Sequence, residues 1–200
     1  MMPDPEVVPL DHVPVPVPDL PDLPRFPGVY SWWLAPSTAD DPAAAGLVLP
    51  VDPSPLYRSE SGALLLYVGR ARRNLHQRIR RQHLQRTRSS ALRRTLLASL
   101  WPLSPRWAEG AALDIRGRVD PGKQAEDRLS AWMSEHLLVG WIQLDDVAEV
   151  DALEAAWIAC YAPPLNTDGT AHRPKLVSRK QDFVQEIRRR SALGGHSDHP

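Results

Sequence analysis

The stretch Leu64-Leu65-Leu66-Tyr67-Val68-Gly69-Arg70-Ala71-Arg72-Arg73-Asn74-Leu75-His76-Gln77-Arg78 decides how the rest of the chain is read. An unbroken apolar run ahead of Tyr67 is the pattern of a strand buried on both faces. Gly69 lets the backbone turn tightly or pass close to another group just after the tyrosine. A basic loop follows, then a helix that carries Arg78 on its first turns. From Tyr67 to Arg94 the chain holds ten arginines and no Asp or Glu. A solvated helix face usually mixes its signs, whereas unmixed arginine is the electrostatic footprint of a polyanion site. The plainer alternative is a solvated basic surface.

Working outward, 200 residues suit one domain, or one domain with an arm. The net charge of zero hides a gradient. Residues 1–60 carry nine acids and two bases, directly ahead of the arginine cluster. The expectation is that an acidic arm covers the basic face. Cys160 is the single cysteine, which excludes an internal disulfide and a Cys-rich zinc site. No stretch approaches the ~18 apolar residues of a membrane span, and no signal peptide is read at the N-terminus. A cytoplasmic location and no membrane partner are expected.

Residues 1–27 form a Pro-rich acidic arm, with Val13-Pro14-Val15-Pro16-Val17-Pro18 at its centre. Alternating proline removes backbone donors and favours an extended conformation. Such an arm either docks a protein partner or lies on its own domain. Gly28-Val29-Tyr30-Ser31-Trp32-Trp33-Leu34 reads as the first core strand, and residues 35–62 as an irregular insertion, with a short strand possible at Leu47-Val48-Leu49. Strand 63–69 leads to a helix over 74–84. Ser89 or Ser90 caps a second helix ending before Pro102. A strand is possible at Leu113-Asp114-Ile115. Asp120-Pro121 opens a third helix. Leu138–Leu144 reads as a third strand, and Val147–Tyr161 as a helix stopped by Pro163-Pro164, with Cys160 packed in the core. A basic helix spans 176–193, and 194–200 reads as a disordered tail.

Placed on these elements, the motifs resemble the GIY-YIG nuclease superfamily. Gly28-Val29-Tyr30 is similar to the first motif of that family and Tyr67-Val68-Gly69 to the second. Arg78 stands three residues after Leu75, Glu154 lies on a later helix, and Asn166 follows Pro164-Leu165 twelve residues beyond it. The Tyr-Val-Gly-Arg-Ala run resembles the nuclease subunit of bacterial excision repair, which has lysine where Arg70 stands. The resemblance implies a nuclease domain over 28–175, an α/β (α+β) fold with a small, mostly antiparallel sheet flanked by helices. Two departures stand out. Thirty-six residues separate Tyr30 from Tyr67 in place of a short turn; loop-closure entropy grows only logarithmically, so this costs little. One turn after Arg78, where the family often carries Tyr or His, this chain has Gln82 with His83 beside it. His83 would substitute if the helix were rotated.

The resemblance implies a metal-dependent endonuclease acting on nucleic acid, with DNA the expected substrate ahead of RNA. The site residues would be Tyr30, Tyr67, Arg78, Glu154 and Asn166. Glu154 would hold Mg²⁺ or Mn²⁺, since Mg²⁺ keeps most of its waters and binds through one or two carboxylates. Arg78 would fork onto phosphate oxygens. Tyr30 would accept the proton of the attacking water and Tyr67 would orient it. A tyrosine pKa is ordinarily ~10, and a site rich in arginine beside a metal favours the ionised form. Asn166 would hold the Glu154 side by hydrogen bonds. Arg70, Arg72, Arg73, Arg80, Arg81 and His83 would touch nucleic acid, and His172 a phosphate. Taken singly, each tyrosine also suits an amphipathic strand residue, Glu154 an exposed helix residue and Asn166 a turn. Two other classes stay open: a catalytically inactive nucleic-acid-binding module on the same fold, and a protein-interaction domain using the Pro-rich arm.

Overall fold

Every residue of the strand Gly28–Leu34 is buried, because the sheet it belongs to is covered on both faces. The structure, a computed structural model, describes residues 9, 10 and 12–194. In chain order its elements begin with β1 (Val15–Pro16), β2 (Gly28–Leu34), a one-turn α1 (Pro36–Ala39) and β3 (Leu64–Ala71). A π-helical segment (Gln77–His83) follows, then α2 (Ala91–Leu100), β4 (Ala112–Leu113), β5 (Val119–Asp120) and α3 (Gly122–His136). The chain continues with β6 (Leu137–Gln143), α4 (Val147–Tyr161) and α5 (Arg173–Gly194). Strand order in the main sheet is β1-β6-β2-β3, with all pairings antiparallel. The mixed α/β class with an antiparallel sheet is therefore as expected.

The long insertion leaves the β2–β3 pairing intact. Leu34 still faces Leu64 and Tyr30 faces Gly69, with one irregularity between Trp32 and Trp33. The insertion is not a loose loop. Trp132 on α3 donates its indole N–H to the Ala45 carbonyl at 2.7 Å, and Val48 N–H donates to Ser99 on α2 at 2.9 Å. Leu47-Val48-Leu49 forms no strand, because its backbone bonds to a helix end and not to a sheet edge.

One core cluster lies on the face of Tyr30, Trp32 and Leu34, packed by Leu92, Leu96, Met133 and Ile187. The second lies on the face of Val29 and Trp33, packed by Val150 and Trp157 of α4. The strand expected at Leu113–Ile115 is instead a two-stranded ribbon of β4 and β5, with Ile115 fully exposed at its turn. The C-terminal helix begins earlier than expected, at Arg173, since Pro174 fits a first turn. Cys160, expected in the core, is exposed.

The described part of the arm lies on its own domain. Val15 pairs with Val139 on β6, and Leu10, Val17, Leu20 and Leu23 are buried. Its contact with the basic region is made by carbonyls, not carboxylates: Leu20 and Pro21 accept from Arg80. Of the arm's acids only Asp19 and Asp22 are among the described residues, and neither pairs with the arginines of 70–94; Asp4, Glu6 and Asp11 lie outside the described residues. The tail expected over 194–200 lies, beyond Gly194, outside the described residues, and Gly194 itself closes α5.

Candidate active site

Antiparallel register puts the two motif tyrosines on one face. Tyr67 stands opposite Trp32 and Gly69 opposite Tyr30, so Tyr30 and Tyr67 are diagonal neighbours. Gly69 is needed here for space. A Cβ on it would lie 2.5 Å from the Tyr30 hydroxyl and 2.8 Å from the Tyr67 ring. The glycine of the second motif thus lets β3 pass directly over the first tyrosine.

The segment after β3 is not the α-helix expected over 74–84. Its core is π-helical, with Leu84 N–H bonded five residues back to Ile79 at 3.0 Å. Five-residue spacing aligns Arg78 with His83, where an α-helix would align it with Gln82. Arg78 Nε donates to the Tyr30 hydroxyl at 3.1 Å, and His83 Nε2 lies 2.6 Å from the same oxygen. This is the rotation that lets His83 occupy the position beside the arginine. Gln82 instead accepts from Arg78 Nη1. His83 is fully buried, so the expected contact with nucleic acid is replaced by an internal role.

The first turn of α2 holds His83 in place. Its Nδ1 lies 2.7 Å from Ser90 Oγ, the N-cap that also accepts from Arg93 N–H. Its carbonyl accepts from Arg93 Nη1 at 3.2 Å. Arg93 is itself fully buried and paired with Glu126 at 2.6 Å. One of the ten clustered arginines therefore braces the fold and is not available to a polyanion. Burial, reinforced by Arg78, Arg93 and Arg94, pushes the His83 pKa well below the usual histidine range. The neutral imidazole accepts the Tyr30 proton and donates its own N–H to Ser90, or adopts the reverse tautomer. Burial also raises the Tyr30 and Tyr67 pKa values, outweighing the pull of Arg78. Among the protein's own groups, desolvation thus outweighs the nearby positive charge at both tyrosines.

A cleft of about 490 Å³ opens at the β3 edge, and Tyr67, Arg70, Arg78, Gln82 and Glu154 line it. Helix α4 packs on the opposite face of the sheet from Tyr67, yet Glu154 meets the tyrosine in this cleft because β3 is an edge strand. Arg70 donates to Glu154 Oε2 and lies 3.2 Å from Asp151, which Arg72 grips through two bonds of 2.9 and 2.7 Å. Burial raises the Glu154 pKa, with Arg70 opposing it. Asp151 had no sequence signal beyond lying three residues before Glu154, one helical turn away.

Tyr30 does not line the cleft; its hydroxyl lies behind Arg78. Asn166 is placed elsewhere again. Its amide exchanges two bonds of 2.9 Å with the backbone of Val68, donating to the carbonyl and accepting from the N–H. It thereby closes the outer edge of β3 beside Tyr67, in place of the expected bonds to the Glu154 side. His172, expected near a phosphate, is buried and bonded to the Pro163 carbonyl at 2.9 Å. Arg73 and Arg81 are exposed, while Arg80 is held by the arm.

Among the described residues no three His, Cys, Asp or Glu side chains gather as a metal cluster. The donor set at the cleft is one partly desolvated carboxylate, with Glu154 Oε1 free of hydrogen bonds from described residues. That fits a hard cation that retains most of its water and does not fit zinc. No described helix is long and apolar enough to cross a membrane.

A small antiparallel sheet sets Tyr67, Arg78 and Glu154 around one basic cleft, with Tyr30 bonded to Arg78 from behind, an arrangement suited to binding and polarising a phosphate. The family model described as the GIY-YIG catalytic domain matches residues 28–189, and the chain belongs to that family. The family implies nuclease-type phosphodiester hydrolysis, a nucleic-acid substrate and, typically, a divalent metal. No curated protein and no solved structure matches the chain.

Proposed function

We propose that this protein is an endonuclease that hydrolyses phosphodiester bonds in DNA, with Glu154 as the ligand for Mg²⁺ or Mn²⁺. The observation that carries the reading is the convergence of Arg78 and His83 on the Tyr30 hydroxyl, beside a cleft that Tyr67 and Glu154 share. When bound, the divalent cation supplies charge neutralisation and Lewis acidity at the phosphate. Arg78 spends Nε on Tyr30 and Nη1 on Gln82 and Ser89, which leaves Nη2 for a phosphate oxygen. Tyr67 orients the attacking water. Tyr30 accepts that water's proton once Arg78 turns onto the phosphate and uncovers the hydroxyl, while its own passes to the neutral Nε2 of His83. Asn166 keeps β3 and Tyr67 in register by closing the strand edge.

The test is cleavage of a panel of plasmid, branched DNA and RNA with Mg²⁺ or Mn²⁺. Glu154→Gln, nearly isosteric but uncharged, should abolish cleavage and leave binding intact. Arg78→Ala should lower cleavage on the order of a hundredfold, as loss of one preorganised donor does. Cleavage that survives Glu154→Gln removes Glu154 as the metal ligand. A binding-only module is the second reading, favoured by the burial of the Tyr30 hydroxyl away from the cleft wall. Salt-sensitive binding with no cleavage of any substrate would establish it.

A further inference from the structure

The catalytic cleft continues past Arg78. A smaller groove of about 230 Å³, lined by Arg25, Asn74, His76, Gln77 and Arg81, shares Asn74 and Gln77 with it. The two ends of this combined channel differ in charge. At the α4 end, Arg70 and Arg72 are already paired with Asp151 and Glu154. At the other end Arg25 and Arg81 are exposed and make no ion pair with any described residue. Uncompensated positive charge therefore lies on the arm side of the cleft.

Arg25 is held there by its neighbours. The carbonyl of Pro24 accepts from His76 N–H and that of Phe26 from Leu75 N–H, both at 3.0 Å. These two bonds clip the arm across the start of the helix that carries Arg78. They also occupy the amides that would otherwise bind an anion at a helix start, so recognition in this groove falls to side chains. Long cationic side chains along an open groove suit a chain of phosphates better than one enclosed anion.

We propose that Arg25, His76 and Arg81 form a second phosphate-binding subsite, which takes the nucleic-acid backbone flanking the scissile bond as it leaves the cleft toward the arm. This rests on the nucleic-acid reading above and adds the direction of the substrate and a residue of the arm, Arg25, to its contacts. Residue 25 lies outside the stretch matched by the family, so the subsite belongs to this chain's own arm.

The experiment measures binding of the full chain to a fluorescent DNA duplex across a KCl series, with Ca²⁺ in place of Mg²⁺. Each phosphate neutralised contributes about 0.9 to the log–log salt slope. The Arg25→Ala/Arg81→Ala double variant should lower that slope by between about one and two units and weaken binding about tenfold at ~0.1 M salt. Arg25→Lys should keep the slope of the unmutated protein. Arg188→Ala, an exposed cation on α5, should change nothing. Equal slope and affinity in the double variant would overturn the subsite and leave the nuclease reading standing. An equal loss in Arg188→Ala would also overturn it, by reducing the effect to overall charge. No DNA binding by the unmutated protein would remove both readings together.

Discussion

Tyr30 and Ser31 are neighbours on β2, and strand alternation sends their side chains to opposite faces of the sheet. Each hydroxyl meets a histidine: Tyr30 lies 2.6 Å from His83, and Ser31 2.9 Å from His12. The surroundings separate them. His83 comes from the π-helical segment and is enclosed with Arg78, Arg93 and Arg94, which together with burial keep it neutral. His12 comes from the arm, sits over Gly140 and packs 5.7 Å from Trp157. Ser31 is fixed in turn by the Trp33 indole N–H at 2.8 Å. One bond type, placed next to charge, keeps a neutral imidazole on the tyrosine hydroxyl; placed among aromatics, it fastens a segment to the sheet.

His83→Gln should separate the two faces most strongly. Glutamine keeps a polar contact to Tyr30 but cannot take its proton. Cleavage should fall on the order of a hundredfold, within the range of a lost acid–base partner. DNA affinity should stay within about twofold, because the side chain is buried and touches no substrate. The pH profile of the residual cleavage should shift as well, a change that a merely structural role would not produce. Cleavage within a few-fold of the unmutated rate would leave His83 as a packing residue.

The same histidine sets a stability window. Its pKa in the folded chain is depressed, so below about pH 6.5 the unfolded chain binds a proton that the folded one refuses. Stability is then undiminished above the ordinary histidine value. It is lost as pH falls from there toward the folded pKa, by about 1.4 kcal/mol per pH unit from this one group. Chemical denaturation followed from pH 8 to pH 5 should show this slope, and His83→Gln should flatten it. An unchanged slope would mean that His83 is charged in the folded protein.

How far the sequence revealed this arrangement depends on which interaction fixed each part. The strands at 28–34 and 64–71 were legible because unbroken apolar runs bounded by Pro and Gly have one reading. Helix Val147–Tyr161 was legible from its spacing and from the prolines that stop it. The π-helical turn was not. Its C-terminal end is anchored by the buried network of Arg93, Ser90 and Glu126, contributed by helices later in the chain. Local periodicity around Arg78 carries no record of that network. Arg93 misled for the same reason: in a run of arginines nothing marks the one whose carboxylate partner lies on α3. Asn166 was legible as a position, whereas its bonding to Val68 depended on which strand formed the sheet edge.

The smallest effect belongs to the second face. His12→Ala removes one hydrogen bond to Ser31 and the ring contact with Trp157. A typical net hydrogen bond is worth about 1 kcal/mol, and the lost contact area adds a similar amount at most. For a chain of this size a loss of 1–2 kcal/mol corresponds to a fall of roughly 2–8 °C in Tm. Cleavage should remain within about twofold, since neither His12 nor its partner Ser31 lines the cleft. The salt slope of DNA binding should also hold, because the Pro24 and Phe26 carbonyls fasten Arg25 independently of His12. Gly140→Ala gives the complementary test: its Cβ would fall 2.0 Å from the imidazole and displace it without altering His12 itself. Matching Tm losses in the two variants, with cleavage preserved in both, would assign His12 to holding the arm. A loss of cleavage comparable to that of His83→Gln in either variant would show instead that the two histidines act through β2 as one unit.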